Sequence, residues 1–290
     1  MESVISVRNL THSYNEGLPN KFNAIENLNF DIYKGDFVGL IGHTGSGKST
    51  LIQHFNGLLK PTQGQILLDG KDIWSDKKSV REAKFKVGLC FQYPEYQLFE
   101  ETVAKDIAFG PKNMKLPEKE IAERVAKAAM YVGLKREYME KSPFDLSGGE
   151  KRRAAIAGVM AMQPEVLILD EPTAGLDPRG RDKILSLISN YRAQTGCTVI
   201  LVSHSMEDVA RVANRVMVMN KGSLAMYGTV NEVYSQFSRL NEMGLNVPQV
   251  SRVFDILSEK LPELKNSNVY TVDSGAEIIA RLFKERGALK

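Results

Sequence analysis

An α/β fold, built on a mostly parallel sheet with helices on both faces, is the class this 290-residue sequence predicts. Three observations predict it. Short, unbroken apolar runs recur at Phe37–Ile41, Val87–Phe91, Val166–Leu169, Thr198–Val202 and Val216–Met219, as strands covered on both faces require. Segments with apolar residues at helical spacing lie between them, such as Ile184, Leu187, Ile188 and Tyr191. The two kinds of segment alternate, which is the pattern of βαβ units.

The elements follow in order. Val4–Tyr14 and Ala24–Ile32 read as strands of an antiparallel N-terminal β subdomain. In the second, Leu28, Phe30 and Ile32 alternate with Asn27, Asn29 and Asp31, so one face is buried and the other wet. Lys34-Gly35-Asp36 turns the chain into the buried run Phe37–Ile41. A Gly-rich loop opens a helix expected over Lys48–Leu59, which Pro61 stops. Gln65–Leu68 is a strand closed by the turn Asp69-Gly70. The antiparallel pieces are expected near the N-terminus.

From about residue 95 to 163 the pattern is helical, with Ile121, Val125, Ala128 and Val132 on one stripe. This reads as a helical insertion subdomain. Strands and helices then alternate again, with a helix near Met206–Ala213. Beyond about residue 230 two more stripes occur, Val250, Val253, Phe254 and Leu257, then Ile278, Ile279, Leu282 and Phe283. Pro248, Pro262 and Ser274-Gly275 are expected to break this segment. Roughly 60 residues make a small independent core. The chain is therefore expected to divide into a main domain, 1–230, and a C-terminal helical extension, 231–290, packed on its own body or on a partner.

Composition narrows the classes. Charged residues are 25% and hydrophobic residues 43% of the chain, close to a soluble globular protein, which excludes wholesale disorder and collagen-like repeats. The 38 Lys and Arg against 35 Asp and Glu leave a formal charge of +3, too weak for nucleic acid as the main ligand. Two cysteines, Cys90 and Cys197, make no disulfide framework and suit a reducing compartment. No apolar run approaches the roughly 20 residues of a membrane span. The N-terminus lacks a basic start followed by an apolar stretch. A cytosolic protein is expected, able to meet a membrane protein from the cytosolic side.

Three segments carry chemistry. Gly42-His43-Thr44-Gly45-Ser46-Gly47-Lys48-Ser49, followed by Thr50, fits G-x-x-x-x-G-K-[ST] between a strand and a helix. Its glycines turn backbone N–H groups toward phosphate oxygens, and the helix N-terminus adds positive potential. Lys48 reaches outer phosphates, and the Ser49 hydroxyl can ligate Mg²⁺. Val166–Leu169 ends in Asp170-Glu171, at the strand end where parallel sheets place their sites. Asp170 can hold Mg²⁺ and Glu171 can polarise an attacking water; taken alone, the pair equally caps the next helix. Leu146-Ser147-Gly148-Gly149-Glu150 precedes a helix. It is a second anion-binding helix start or simply a cap. One nucleotide does not need two such loops, so the second points to a nucleotide held by another subunit.

With these motifs in this order, residues 4–228 resemble the ATP-binding-cassette (ABC) ATPases. Gly42–Ser49 matches the Walker A loop, and Asp170 and Glu171 match Walker B and the catalytic glutamate. Leu146–Glu150 matches the signature, with Glu150 where most members carry Gln. Gln92 matches the Q-loop, Ala174-Gly175-Leu176-Asp177 the D-loop and His204 the switch histidine. Tyr14 falls where the family stacks an aromatic on adenine. The resemblance implies a P-loop NTPase of RecA-like type. Two cassettes would pair head to tail around two ATP molecules, with Ser49, Gln92 and Asp170 toward Mg²⁺ and Glu171, His204 and Gln92 toward catalysis. Lys151, Arg152 and Arg153 are expected to offset the Glu150 carboxylate.

A narrower resemblance rests on Phe91-Gln92-Tyr93-Pro94-Glu95-Tyr96-Gln97-Leu98-Phe99, on Leu-Ser-Gly-Gly-Glu-Lys-Arg-Arg and on the C-terminal extension. Together they are similar to the ATPases of energy-coupling-factor (ECF) transporters and the related cobalt and nickel importers. This implies a peripheral subunit on the cytoplasmic face of the cell membrane. Its partners would be a second ATPase, identical or related, a transmembrane coupling subunit and substrate-binding membrane subunits. The extension would serve at the ATPase–ATPase interface. Vitamins or transition-metal ions would be the solutes. The alternatives are the ATPase of another ABC importer, or a soluble ATPase acting on DNA or the ribosome, whose coiled-coil insertions, zinc modules or tandem cassettes this sequence lacks.

Overall fold

The structure is a computed structural model that describes residues 2–264 and 267–286. Strands β1 (Ser3–Tyr14) and β2 (Phe22–Tyr33) pair antiparallel. β3 (Phe37–Ile41) leads through the Gly-rich loop into α1 (Lys48–Phe55). β4 (Gln63–Leu68) and β5 (Lys71–Asp72) complete a four-stranded sheet of order β2-β1-β4-β5. After α2 (Lys77–Lys86), β6 (Val87–Cys90) enters the second sheet. Helices α3 (Val103–Asn113), α4 (Glu118–Tyr131) and α5 (Gly148–Met160) form the helical insertion. Then come β7 (Val166–Asp170), α6 (Pro178–Thr195), β8 (Thr198–Val202), α7 (Met206–Val212), β9 (Arg215–Asn220) and β10 (Ser223–Thr229).

The second sheet has the order β10-β9-β3-β8-β7-β6, parallel throughout except for β10. Its faces bury different partners. Phe37, Leu167, Leu169, Val199 and Leu201 join the helical side with α3–α6. Val38, Leu40, Val166, Ile168, Ile200 and Val202 join the four-stranded sheet and α1. Alternate residues of each strand thus serve opposite cores. A fully buried aliphatic side chain of this kind contributes roughly 1.5–3 kcal/mol. Both cysteines are buried and free.

Four details depart from the sequence reading. The antiparallel hairpin β9–β10 lies late in the chain, at the sheet's edge; its turn Lys221-Gly222 has φ of 46° and 79°, the pair a tight hairpin needs. Helix α1 ends at Phe55 rather than Leu59, because Asn56 caps it and its side-chain amide donates to the Val87 carbonyl. The charged segment Lys77–Lys86 forms a helix that apolar spacing gave little sign of; Asp76 caps it by accepting from the Ser79 amide at 2.7 Å.

The fourth concerns the extension, which comprises α8 (Val230–Tyr234), α9 (Phe237–Glu242), α10 (Gln249–Lys260) and α11 (Val272–Glu285). Ser274 and Gly275 lie inside α11 rather than breaking it: Thr271 caps the helix through the Ser274 amide. Phe254 is buried between the helices, while Val253 and Phe283 point outward from their stripes. Leu240, Leu245 and Val247 pack with Ile41 and Met206, which tie the extension's first half to the sheet. Among the described residues no helix is long and apolar enough to cross a membrane.

Candidate functional site

A cleft of about 680 Å³ opens at the carboxyl ends of β3, β7 and β8. Its walls bring together Tyr14, Thr44, Gly45, Gly47, Lys48, Ser49, Thr50, Gln92, Asp170, Glu171 and His204, which lie in five separate segments of the sequence. The size suits a nucleotide-scale ligand.

The loop after β3 is held from both sides. Gly47 has φ of 100°, and a Cβ there would meet the Ala24 carbonyl at 2.6 Å, so no side chain fits between the loop and β2. The Gly222 amide donates to the Ser46 carbonyl at 3.1 Å, and the Glu26 amide to the Gly222 carbonyl at 2.9 Å. The β9–β10 turn thereby bolts the loop to β2. Gly47 is the N-cap of α1, no side chain caps that helix and its first turn carries no acid. Its leading N–H groups are left for an anion.

Lys48 is 7% exposed, and its Nζ donates to the carbonyls of Gly42 at 2.6 Å and His43 at 2.8 Å. The ammonium is thus curled back into its own loop. Burial pulls its pKa below the ordinary lysine value, against the opposing pull of Glu171 and Asp170. Burial likewise raises Asp170, more than Lys48 and the Ser49 hydroxyl lower it. Glu171 is pushed up to about 7, first by burial and then by the Asp170 charge. Its Oε1 is buried without a hydrogen-bond partner, as is the Ser46 hydroxyl. Its backbone has φ of 51°, a left-handed conformation that costs a non-glycine residue of order 1–3 kcal/mol. His204 stands just past β8, with Nε2 3.5 Å from Glu171 Oε1; burial, then Lys48 and His43, hold its pKa down.

Two half-buried acids side by side, one with a buried carboxylate oxygen turned to the cleft, suit a cation and a polar reactant. Ser49, Gln92 and Asp170 offer oxygen donors, as Mg²⁺ requires. Among the described residues no cluster of three or more His, Cys, Asp or Glu could hold a metal.

The remaining expected residues lie elsewhere. Gly42 and Ser46 sit behind the cleft wall, and His43 turns away, its Nε2 donating to the Met243 carbonyl of the extension. Leu146–Glu150 and Asp177 do not line the cleft. Ser147 and Glu150 form a capping box on α5, and Asp177 caps α6 by accepting from the Gly180 amide at 2.7 Å. Of the three basic residues expected to offset Glu150, Arg153 pulls its pKa down but Arg152 does not. Arg152 is 4% exposed and turned inward to Glu95, because a buried guanidinium needs a carboxylate partner.

Sequence reasoning missed Phe22, Asn23 and Lys221 as cleft residues. Phe22 stacks on Tyr14 with centroids 5.4 Å apart and planes 28° off parallel. Its signal was an aromatic starting a strand opposite Tyr14. Tyr14 Oη lies 3.4 Å from Thr50 Oγ1. A second surface follows β6. Tyr93, Tyr96, Phe99 and Phe109 are 41%, 84%, 59% and 44% exposed, and Phe99 meets Phe109 edge to face at 4.9 Å.

The comparisons agree with this geometry. The family model for ABC transporters matches residues 25–174. The energy-coupling factor transporter ATP-binding protein EcfA2 of Clostridium tetani is 52% identical over 97% of this chain and 98% of its own. EcfA2 of Clostridioides difficile is 52% identical over 98% and 99%. Among solved structures, cbiO1 of Clostridium perfringens, part of the ABC transporter complex cbiONQ, superposes with a TM-score of 0.75 at 37% identity, covering 88% of this chain and all of that one. The ABC cassette MJ0796, a dimer bound to ADP and Pi in a post-hydrolysis state, superposes at 0.69 with 26% identity, covering 78% of this chain and 98% of that one. A phosphate loop, an Asp-Glu strand end and a signature helix on this fold, with half the sequence shared over almost the whole length, place the chain in the ABC ATPase family, among the ATP-binding proteins of energy-coupling-factor transporters.

Proposed function

We propose that this chain binds MgATP in the Tyr14–Lys221 cleft and hydrolyses it when a second cassette closes over that cleft. The observation that carries this reading is the separation of two anion loops. Lys48, Asp170, Glu171 and His204 share one cleft, while Ser147 and Gly148 stand exposed outside it, with Gly149 partly exposed beside them. Such a loop has work only at a neighbour's nucleotide.

The roles follow from chemistry. Tyr14, backed by Phe22, offers a flat face for adenine. Lys48 exchanges its loop carbonyls for the outer phosphates, a charge-assisted bond in place of a neutral one. Ser49, Gln92 and Asp170 would hold Mg²⁺, which when bound neutralises charge on the transferring phosphoryl group. Glu171, with a pKa of about 7, is suited to take a proton from water near neutral pH. His204 beside it orients that water and the γ-phosphate. Leu146, Ser147, Gly148, Gly149 and Glu150 meet the partner's ATP, and Asp177 lies at the same seam.

Residues 1–230 act as the cassette and 231–290 as an added element at the ATPase pair. The exposed aromatics Tyr93, Tyr96 and Phe99 receive the coupling helices of a transmembrane subunit at the cytoplasmic face of the membrane. A related second ATPase is preferred to an identical one. The solutes, vitamins or transition-metal ions, are selected by separate membrane subunits. Affinity purification from native membranes in mild detergent, with mass spectrometry, tests this. Recovery of a second cassette, a shared coupling subunit and small binding proteins is expected. A single permease pair with a separate binding protein would replace the ECF reading by another importer, and absence of any membrane partner would overturn the transport reading.

A further inference from the structure

Arg152 ties its own helix to two other segments. From the second turn of α5 its Nε and Nη2 donate to Glu95 Oε2 and Oε1 at 3.0 and 2.6 Å. Its Nη1 donates to the carbonyls of Pro172 at 3.2 Å and Ala174 at 2.7 Å. Glu95 belongs to a short 3₁₀ turn, Pro94–Gln97, between Tyr93 and the 84%-exposed Tyr96. Pro172 follows Glu171 directly. One planar guanidinium therefore spans the aromatic surface, the signature helix and the segment that carries the buried carboxylate of the cleft.

The arrangement costs something that a merely structural site would avoid. Arg152 is 4% exposed and its partner 15%. A buried ion pair seldom adds stability over apolar side chains of the same volume, so its place here calls for a role beyond cohesion. Burial raises the Glu95 pKa, but the Arg152 bonds outweigh it and hold the carboxyl below the ordinary value, so the pair stays ionised. The segment after Glu171 is also gripped from the far side. Thr173 Oγ1 donates to Asp208 Oδ2 at 3.1 Å, and Arg181 Nη2 donates to Asp208 Oδ1 at 3.0 Å. Asp208 lies on α7, one turn after His204. Held between Arg152 and Asp208, residues 172–174 can shift only if one of the two arms moves.

We propose that Glu95 and Arg152 are positioning residues: a partner pressing on the Tyr93–Phe99 surface moves Glu95, and Arg152 passes that movement to the Pro172–Ala174 segment and so to Glu171. The inference deepens the transport reading above and rests on it. Bidentate geometry suits the task, because a fork bound at two points transmits rotation as well as displacement. Neither residue reaches the cleft, so neither takes part in the chemistry itself.

The test uses the full chain, alone and co-purified with its membrane subunits in lipid nanodiscs, with ATP hydrolysis measured in both. Glu95→Gln keeps the shape and leaves Arg152 on its two carbonyls. It is expected to retain the kcat and KM of the isolated chain. It is expected to lose at least about five-fold of the stimulation that the membrane subunits give, the lower end of ordinary coupling between sites. Arg152→Lys, which keeps the charge without the fork, is expected to lower both rates. In the Glu95→Gln/Arg152→Lys double variant the loss of stimulation is expected to be no greater than in the worse single variant, because the two act on one path. Wild-type stimulation in Glu95→Gln, or full additivity in the double variant, overturns the proposal while leaving the transport reading intact. A wild-type chain that no membrane subunit stimulates overturns both. Thermal melting of each variant guards against misfolding; should Arg152→Lys fail to fold, Glu95→Gln alone decides.

Discussion

Glu171 Oε1 and His204 Nε2 stand 3.5 Å apart at the ends of adjacent strands, β7 and β8, and among the described residues that buried oxygen accepts no hydrogen bond. A carboxyl with a pKa near 7 beside an imidazole held below its usual value is a pair with one proton to place. The left-handed backbone at Glu171 aims that oxygen into the cleft, and the strain is offset by the Val202 carbonyl, which accepts from the Glu171 amide at 3.0 Å.

Glu171→Gln is therefore expected to abolish turnover, preserve ATP binding and trap a closed pair of cassettes, as read by single-turnover hydrolysis and by size in the presence of ATP. Normal turnover would remove Glu171 from the chemistry. The same variant reports the proton. The folded pKa of about 7 lies above the ordinary glutamate value of 4.5. The stability this group contributes is thus fully present below pH 4.5 and is lost as pH rises through 7. Without nucleotide, Glu171→Gln should gain on the wild type between those limits, by on the order of 2 kcal/mol at pH 8. Melting curves at pH 5 and 8 check the sign.

Lys48→Ala should separate affinity from stability. Among the described residues the ammonium bonds only the carbonyls of Gly42 and His43 in its own loop, and burial already disfavours its charge. Its removal should change the melting temperature little. Nucleotide affinity should fall by at least about ten-fold, since hydrogen bonds to charged groups are worth roughly 1.5–3 kcal/mol. Calorimetric titration of ATP reads this, and undiminished affinity would take the phosphate loop out of the site.

Two loop glycines should behave oppositely. At Gly47 a Cβ would strike the Ala24 carbonyl at 2.6 Å, whereas at Gly45, with φ of 77°, it would meet nothing within 4 Å. Gly47→Ala should destabilise the protein by about 2 kcal/mol or more, because clash adds to strain. Gly45→Ala should carry only the strain of its backbone, about 1 kcal/mol. Gly45 lines the cleft proposed to hold the phosphates, so its methyl should lower ATP affinity more than stability. Equal loss of stability in the two variants would contradict this account of the loop.

The parallel sheet and its site were legible because both are written locally. Val166–Asp170 is a buried run with a polar end, and the loop before Lys48 carries glycines where the chain must pass close to β2. What stayed hidden depends on contacts between distant segments. The reach of Arg152 to Glu95, 57 residues away, has no periodic signature, and its neighbours Lys151 and Arg153 disguise it as part of a surface charge run. The α2 helix escaped because its charged residues mask the spacing, leaving only the cap at Asp76. Ser274-Gly275 misled for the opposite reason: Gly275 lies within α11 because a Cβ there would come within 3.0 Å of Phe254 and Val250, so the residue that weakens a helix in isolation lets this one dock.

Glu150 at the signature position gives the last prediction. Its Oε2 accepts from the Ser147 hydroxyl at 2.6 Å and from the Ser147 amide at 2.9 Å. Those two bonds hold its pKa down to about 2. The carboxylate is thus folded back on the helix start. A depressed acid contributes stability above its ordinary value of 4.5 and loses it as pH falls through 2. The group is solvent-exposed, so the gain is screened, and Glu150→Ala should cost only about 1 kcal/mol, the worth of a cap. Glu150→Gln keeps an acceptor for the Ser147 amide but removes a negative charge from the face proposed to meet a partner's ATP. It should leave the fold nearly unchanged and strengthen ATP-driven pairing by about two- to five-fold, the scale of one exposed charge interaction. Pairing can be read from the ATP dependence of sedimentation in a Glu171→Gln background, where hydrolysis does not reopen the complex. Weaker pairing in Glu150→Gln would mean that the capping box, rather than the charge, decides how Ser147 is presented.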